Sequence, residues 1–275
     1  MKKVEITPDV LAFLHPEEGP NVGLIDTAKG PVVVDTTMSP PEIRGVLDQA
    51  EVDPTEVALV INTHSHSDHT WGNQIFDCSI LAHRLCREAM EKKMEDEWSP
   101  ESIAALIEER GEAAREKWAD LRITPPTEVF DSRREVTLGD TLIHVIHVDA
   151  HTPDSSVVWL PEERVLFAGD LIFEGRYPFI KDARIVEWAA ILKRLPDFRA
   201  EAIVPGHGDL CGNEEVITLA EYLETTWELT KDHVEQGDTE DETVADPRYP
   251  VYAKVGAERY HEANVRTMYR RIAEN

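Results

Sequence analysis

The run Thr63-His64-Ser65-His66-Ser67-Asp68-His69 puts four candidate metal ligands within six residues, directly behind the apolar stretch at residues 57–61. Imidazoles and a carboxylate crowded onto one loop are costly to desolvate unless they find partners, and a divalent cation satisfies several at once. The bland alternative is a polar surface loop rich in histidine. What surrounds the run decides between the two.

Upstream, residues 10–14, 22–26 and 32–35 are β-rich, and Ala28-Lys29-Gly30-Pro31 between the last two is a turn signal, so a hairpin is expected. Pro40-Pro41 opens a helix through Ala50, with Ile43, Val46 and Leu47 on one face. Asp53-Pro54 then precedes a buried strand at residues 57–61 that ends at the histidine run. Downstream, residues 84–121 read as helical, divided by Ser99-Pro100 into two helices. Met90, Met94, Trp98 and Trp118 of this segment form either an apolar lid or plain core. After Pro125-Pro126 come strands at 129–130, 136–138, 142–148, 157–160 and 165–168, a helix at 185–195 and a short strand at 202–204. An amphipathic helix at 214–230, a mobile acidic loop at 235–246 and a last helix at 256–273 complete the chain. Two β-rich halves with helices outside predict an α/β fold, an αββα sandwich, as one domain over residues 1–275 carrying a helical insertion at 84–121.

HSHSDH resembles the HxHxDH motif of the metallo-β-lactamase superfamily, and three further landmarks follow in the expected order. His151 stands where that family has the histidine of a PGHT-like element, although Asp149-Ala150 replaces the usual Pro-Gly. Phe167-Ala168-Gly169-Asp170 resembles the strand-terminal Gly-Asp whose aspartate bridges two metals, and Pro205-Gly206-His207-Gly208 resembles the last histidine motif. The resemblance implies that His64, His66 and His151 hold one divalent cation and Asp68, His69 and His207 a second, with Asp170 shared. Asp35, closing a strand, resembles the family's early aspartate, which supports the metal loop from behind. Nitrogen and oxygen donors without thiolate suit Zn2+, and iron or manganese also fits.

The resemblance further implies a dinuclear hydrolase in which a metal-bridging hydroxide attacks a small ester, thioester or lactone, with Asp68 orienting it and relaying a proton. An aspartate at position 170 argues against a dedicated β-lactamase and leaves room for promiscuous β-lactamase activity. Arg176 and Tyr177, closely following Asp170, are candidate substrate contacts: a carboxylate clamp and an oxyanion donor. Two other readings remain open, a persulfide dioxygenase-like oxidoreductase using one iron, and a non-catalytic metal-binding scaffold.

Composition sets outer bounds. A formal charge of −26 is set against a nucleic-acid partner, because such a binder must offset phosphate with Lys and Arg. No apolar run reaches the roughly 20 residues that span a bilayer, and the start MKKVEITPDV lacks a signal peptide's apolar core, so a cytoplasmic protein without a membrane partner is expected. Three cysteines at spacings that match neither a zinc knuckle nor a redox pair are expected to be reduced thiols. The expected partner is a small-molecule substrate, and a homodimer is allowed.

Overall fold

The computed structural model describes residues 1–17, 19–253 and 258–274. Seven strands, β1 (Lys2–Thr7), β2 (Val10–Leu14), β3 (Val22–Ile25), β4 (Val32–Val34), β5 (Leu59–Ile61), β6 (Ser79–His83) and β7 (Glu128–Phe130), lie side by side in chain order. The first four pair antiparallel through tight connections, and β4 to β7 pair parallel, because each crossover there carries helix. The second sheet runs β12 (Ala202–His207), β11 (Val165–Phe173), β10 (Ser156–Leu160), β9 (Thr141–His147), β8 (Arg133–Leu138), and only its β11–β12 pair is parallel.

Alternation along the strands explains why the sheets stack. In β2, Val10, Ala12 and Leu14 face the second sheet and meet Ile143, Val145, Val158 and Phe167, while Phe13 turns to the opposite side. There Phe13, Leu24 and Val60 pack against Ile43, Val46 and Leu47 of helix α1 (Pro40–Ala50), which Ser39 caps by accepting from Glu42 N. Leu166 and Ile203 on the far face of the second sheet pack on Trp188 and Leu192 of a later helix and on Leu219 and Leu223 of a long one. These layers, helix, sheet, sheet, helix, are the αββα sandwich that the sequence predicts.

A short helix α2 (Ser67–Thr70) carries part of the histidine run. The segment at 84–121 forms three helices rather than two, α3 (Arg84–Met94), α4 (Pro100–Arg110) and α5 (Glu112–Trp118), because Gly111 at φ 76° breaks the chain a second time. Trp98 and Trp118 of this segment meet Trp71 edge to face, with centroids 5.7 and 5.5 Å apart. Such pairs are worth about 0.5–1.5 kcal/mol each. Met90, Trp98 and Trp118 are thus buried core that braces the loop beyond α2, rather than a free lid.

After the second sheet's strands come α6 (Ile185–Leu192), α7 (Asn213–Gln236), α8 (Glu240–Val244) and α9 (Glu258–Ala273). Residues 235–246 are not a loop throughout: α7 continues to Gln236, and α8 takes up the middle of the stretch. The reason is His233, whose Nδ1 and Nε2 lie 2.6 and 2.7 Å from Asp238 and Asp246, while Thr239 caps α8. The acidic side chains thus have a cationic anchor within the fold. Of the last predicted helix, residues 256 and 257 lie outside the described residues, and no helix among those described is long and apolar enough to cross a membrane.

Candidate metal centre

All four sequence landmarks converge on one edge of the sandwich. Beyond β5 come His64 and His66, with Asp68 and His69 on α2. His151 sits in the β9–β10 loop, Asp170 lies within β11, and His207 ends β12. The seven side chains form two groups, His64, His66, His151 with Asp170, and Asp68, His69 with His207. The Asp170 carboxylate stands between them. Its Oδ2 lies 3.5 Å from His151 Nε2 and 3.8 Å from His64 Nε2, while its Oδ1 lies 3.0 Å from His69 Nε2 and 3.3 Å from His207 Nε2. His151 Nε2 is 3.2 Å from His66 Nδ1, and Asp68 Oδ2 is 3.4 Å from His207 Nε2.

Four of the five rings are turned inward by what holds their other nitrogen. His69 Nδ1 donates to Asp35 Oδ2 at 2.8 Å, and the same carboxylate accepts from Thr63 N and Thr63 Oγ1, each at 2.8 Å. Asp35 therefore fixes a ring and the backbone before the first histidine together, from a left-handed backbone at φ 62°. His207 Nδ1 donates to Gly19 O at 3.0 Å, His64 Nδ1 lies 3.1 Å from Thr63 Oγ1, and His66 Nε2 lies 3.4 Å from Asp182 Oδ2. The Nδ1 of His151 has no hydrogen bond; its ring is held by Phe173 and Trp188 at centroid distances of 5.6 and 5.5 Å. Replacing Pro-Gly by Asp149-Ala150 is tolerated because Thr152 and Ser155 close the loop on themselves and Arg184 takes Asp149 at 2.5 Å.

Two residues that sequence reasoning misses are Asp182 and Asn21. Asn21 is buried, and its Nδ2 donates to both Pro205 O and Gly208 O at 2.9 Å, its Oδ1 accepts from His15 N at 2.9 Å, and its backbone N donates to Gly206 O at 2.7 Å. Glu174 N donates to His207 O, so every carbonyl from Pro205 to Gly208 is held. The flanking glycines have separate reasons. A Cβ on Gly206 would overlap Asp170 Oδ1, and Gly208 adopts φ 103°.

Electrostatics divide the rings in two. Burial foremost, then the neighbouring imidazoles, pushes His64 well below its ordinary value and His151 down to about 3. Burial acts the same way on His69 and His207, but there the carboxylates win: Asp170, Asp35 and Asp68 hold His69 well above its ordinary value, and Asp170 and Asp68 raise His207 to about 10. Asp68 is held at about 2, burial being outweighed by His69 and His207.

The donor set fits divalent cations. His64 Nε2 and His69 Nε2 are buried ring nitrogens aimed into the groups without a hydrogen bond, a cost that coordination would remove. Asp170 offers one oxygen to each group, and the glycine at 206 leaves room for it. Above lies a cavity of about 1040 Å³. Arg176 and Tyr177 both line it: Arg176 makes no hydrogen bond or ion pair with a described residue, while Tyr177 packs 5.3 Å from the rings of Tyr222 and His261. Helix α9 contributes Tyr260, Ala263, Asn264 and Thr267, one face at helical period, and Trp98 closes the opposite side. Cys78, Cys86 and Cys211 form no disulfide.

Comparison with known proteins agrees with this geometry. The sequence model described as the metallo-beta-lactamase superfamily matches residues 15–207, which include all seven candidate ligands. Acyl-coenzyme A thioesterase MBLAC2 of Bos taurus is 26% identical over 220 residues, covering 73% of this chain and 77% of that protein. Linear primary-alkylsulfatase of Pseudomonas sp. (strain ATCC 19151) is 25% identical over 223 residues, 70% of this chain and 42% of that one. Among solved structures, the stereoselective inverting sec-alkylsulfatase Pisa1 from Pseudomonas sp. superposes with a TM-score of 0.73 at 16% identity, covering 98% of this chain and 50% of that one.

Proposed function

This chain belongs to the metallo-beta-lactamase superfamily, and from that membership we propose that it is a dinuclear metal-dependent hydrolase whose substrate is a thioester. The observation that carries the reading is the Asp170 carboxylate, one oxygen facing each donor group. His64, His66 and His151 would hold one divalent cation, Asp68, His69 and His207 the other, zinc being the metal that best suits nitrogen and oxygen donors in this arrangement. Such cations supply a water activated at neutral pH and polarise a carbonyl.

The chain's own residues do the rest. Asp68 is the more exposed of the two ligand-group carboxylates lining the cavity, its side chain 22% exposed against 4% for Asp170, so it can orient the attacking water and take its proton. A leaving thiolate of pKa roughly 8.5 needs less protonation than an alkoxide, so thioester cleavage asks little of a proton donor here. Water and thioester give carboxylate, thiol and one proton, which leaves through Asp68 to solvent. Arg176, which lines the cavity without a hydrogen bond or ion pair to a described residue, is placed to meet a substrate anion, and Tyr177 a developing oxyanion. The thioesterase name of the MBLAC2 relative supports this choice among ester, thioester and lactone.

The test is a panel of lactones, thioesters, phosphodiesters and a chromogenic cephalosporin, assayed with defined metals beside elemental analysis. Thioester cleavage that a chelator abolishes, with about two metals per chain, is expected. One iron per chain with oxygen uptake on glutathione persulfide would replace the hydrolase reading by an oxidoreductase.

A further inference from the structure

The cavity over the candidate centre is larger than a small lactone or simple ester needs, since pockets for drug-sized ligands run from roughly 300 to 1,000 Å³. Its walls carry both signs, with Lys2, Lys93, Arg176 and Lys181 beside Asp68, Glu97, Asp170, Glu174, Asp182 and Asp209. Acidic residues outnumber basic ones 54 to 28 in this chain, so carboxylate partners are plentiful, and elsewhere cations such as Arg84 and Lys193 have found them. Lys93 and Lys181, which line the cavity, have not: neither ammonium makes a hydrogen bond or an ion pair with a described residue.

The two lysines share a neighbourhood. Lys93 Nζ stands 4.6 Å from the centroid of the Trp98 ring, which steers the charge without neutralising it. Both lysines act electrostatically on Asp182, whose carboxyl is already engaged by His66 at 3.4 Å. Glu97 lines the same wall and pairs with neither. The lysines therefore flank the His66 side of the centre with six ammonium hydrogens unspent, by the three donors of each lysine. Lys181 is exposed and Lys93 half-buried, whereas Phe173 and Ile180 of the same cavity are buried. The two lysines thus stand nearer the solvent than the Phe173 and Ile180 side chains.

We infer that Lys93 and Lys181 form a subsite for a phosphate-class anion on the thiol side of the thioester, leaving the acyl group to the apolar interior. The inference rests on the thioester reading of the site. An anion at the mouth keeps part of its hydration while meeting two ammonium groups that make no ion pair with a described residue. A neutral thioester would gain nothing from this wall.

The experiment compares three thioesters on the zinc-loaded enzyme by thiol release: octanoyl-coenzyme A, the neutral octanoyl-N-acetylcysteamine, and adipoyl-N-acetylcysteamine, which carries its anion on the acyl side. The coenzyme A ester is expected to have the lowest KM, and in the Lys93→Gln/Lys181→Gln enzyme its kcat/KM relative to the neutral ester falls about tenfold or more, through KM rather than kcat. Lys93→Arg/Lys181→Arg should restore the ratio. Equal KM values for charged and neutral esters, a preference for the adipoyl ester, or a ratio untouched by the glutamine changes would overturn the subsite. Cleavage of none of the three would instead sink the thioester reading, and calorimetry with free coenzyme A then decides the subsite: binding lost in the glutamine variant upholds it, and no binding to the unaltered protein overturns it.

Discussion

Removing the Asn21 side chain, as in Asn21→Ala, takes away two donors and one acceptor that hold the turn around His207, leaving Pro205 O, Gly208 O and His15 N without their partners. A buried polar group stripped of its hydrogen bond costs about 1–3 kcal/mol. With the lower figure for each of three groups, the chain loses about 3 kcal/mol. For a protein of this length that lowers Tm by roughly 6–12 °C, at about 2–4 °C per kcal/mol. Asn21→Asp should be at least as damaging, because it keeps the acceptor for His15 N but turns an oxygen toward both carbonyls. Differential scanning calorimetry of the metal-free protein measures the loss, and zinc titration against a chromogenic chelator measures whether the site containing His207 weakens more than the one containing His64. A Tm within about 2 °C of the unaltered protein would show that the amide is not needed and refute the reasoning.

Asp68→Asn should cut turnover by roughly a hundredfold or more while circular dichroism and Tm stay close to the unaltered protein, since the side chain is partly exposed and its partners are other site residues. Gly206→Ala forces a methyl group onto the Asp170 carboxylate; a loss of about 1–3 kcal/mol in urea unfolding is expected, with lower metal content by elemental analysis. Burial works to lower the His233 pKa, but the hydrogen bonds its ring makes with Asp238 and Asp246 outweigh it and hold the imidazole above its ordinary value. A raised folded-state value means that the stabilisation is complete below pH 6.5 and fades as pH rises through the folded value. Urea unfolding of His233→Gln should therefore show a deficit near pH 6 that closes in alkaline buffer, and a deficit that grows with pH would contradict the clamp.

Much of this was legible in the chain because period and punctuation were local. Val10, Ala12 and Leu14 alternate, Ser39-Pro40-Pro41 opens α1 where proline fits a first turn, and the ligand run comes after a buried strand. The seven candidate ligands were readable because they fall in four short motifs, and their side chains meet in two groups with Asp170 between them. What escaped depended on distant partners. β1, with Lys and Glu among its six residues, is an edge strand that exists through pairing with β2, and β6 lies hidden ahead of a helix. Asn21 looks like any loop residue until the turn 184 positions away arrives beside it, and Asp182 gains meaning only from His66. The stretch at 235–246 read as solvated acid because nothing local announces that His233, one turn before the end of α7, reaches both of its flanks.

One wall of the cavity comes from a stretch of chain that carries no candidate ligand. The cage is complete by residue 207, whereas one whole side of the cavity is the face of α9 formed by Tyr260, Ala263, Asn264 and Thr267. The other side of that helix is anchored separately by Val265 and Met268. That wall can therefore be altered at Tyr260, Ala263 and Thr267 without touching a candidate ligand, whereas Asn264 is tied down by its amide's hydrogen bonds to Pro178 O and Tyr222. Chimeras that exchange only this helix should reshape the fit along one side of the cavity and leave the preference set by Lys93 and Lys181 in place.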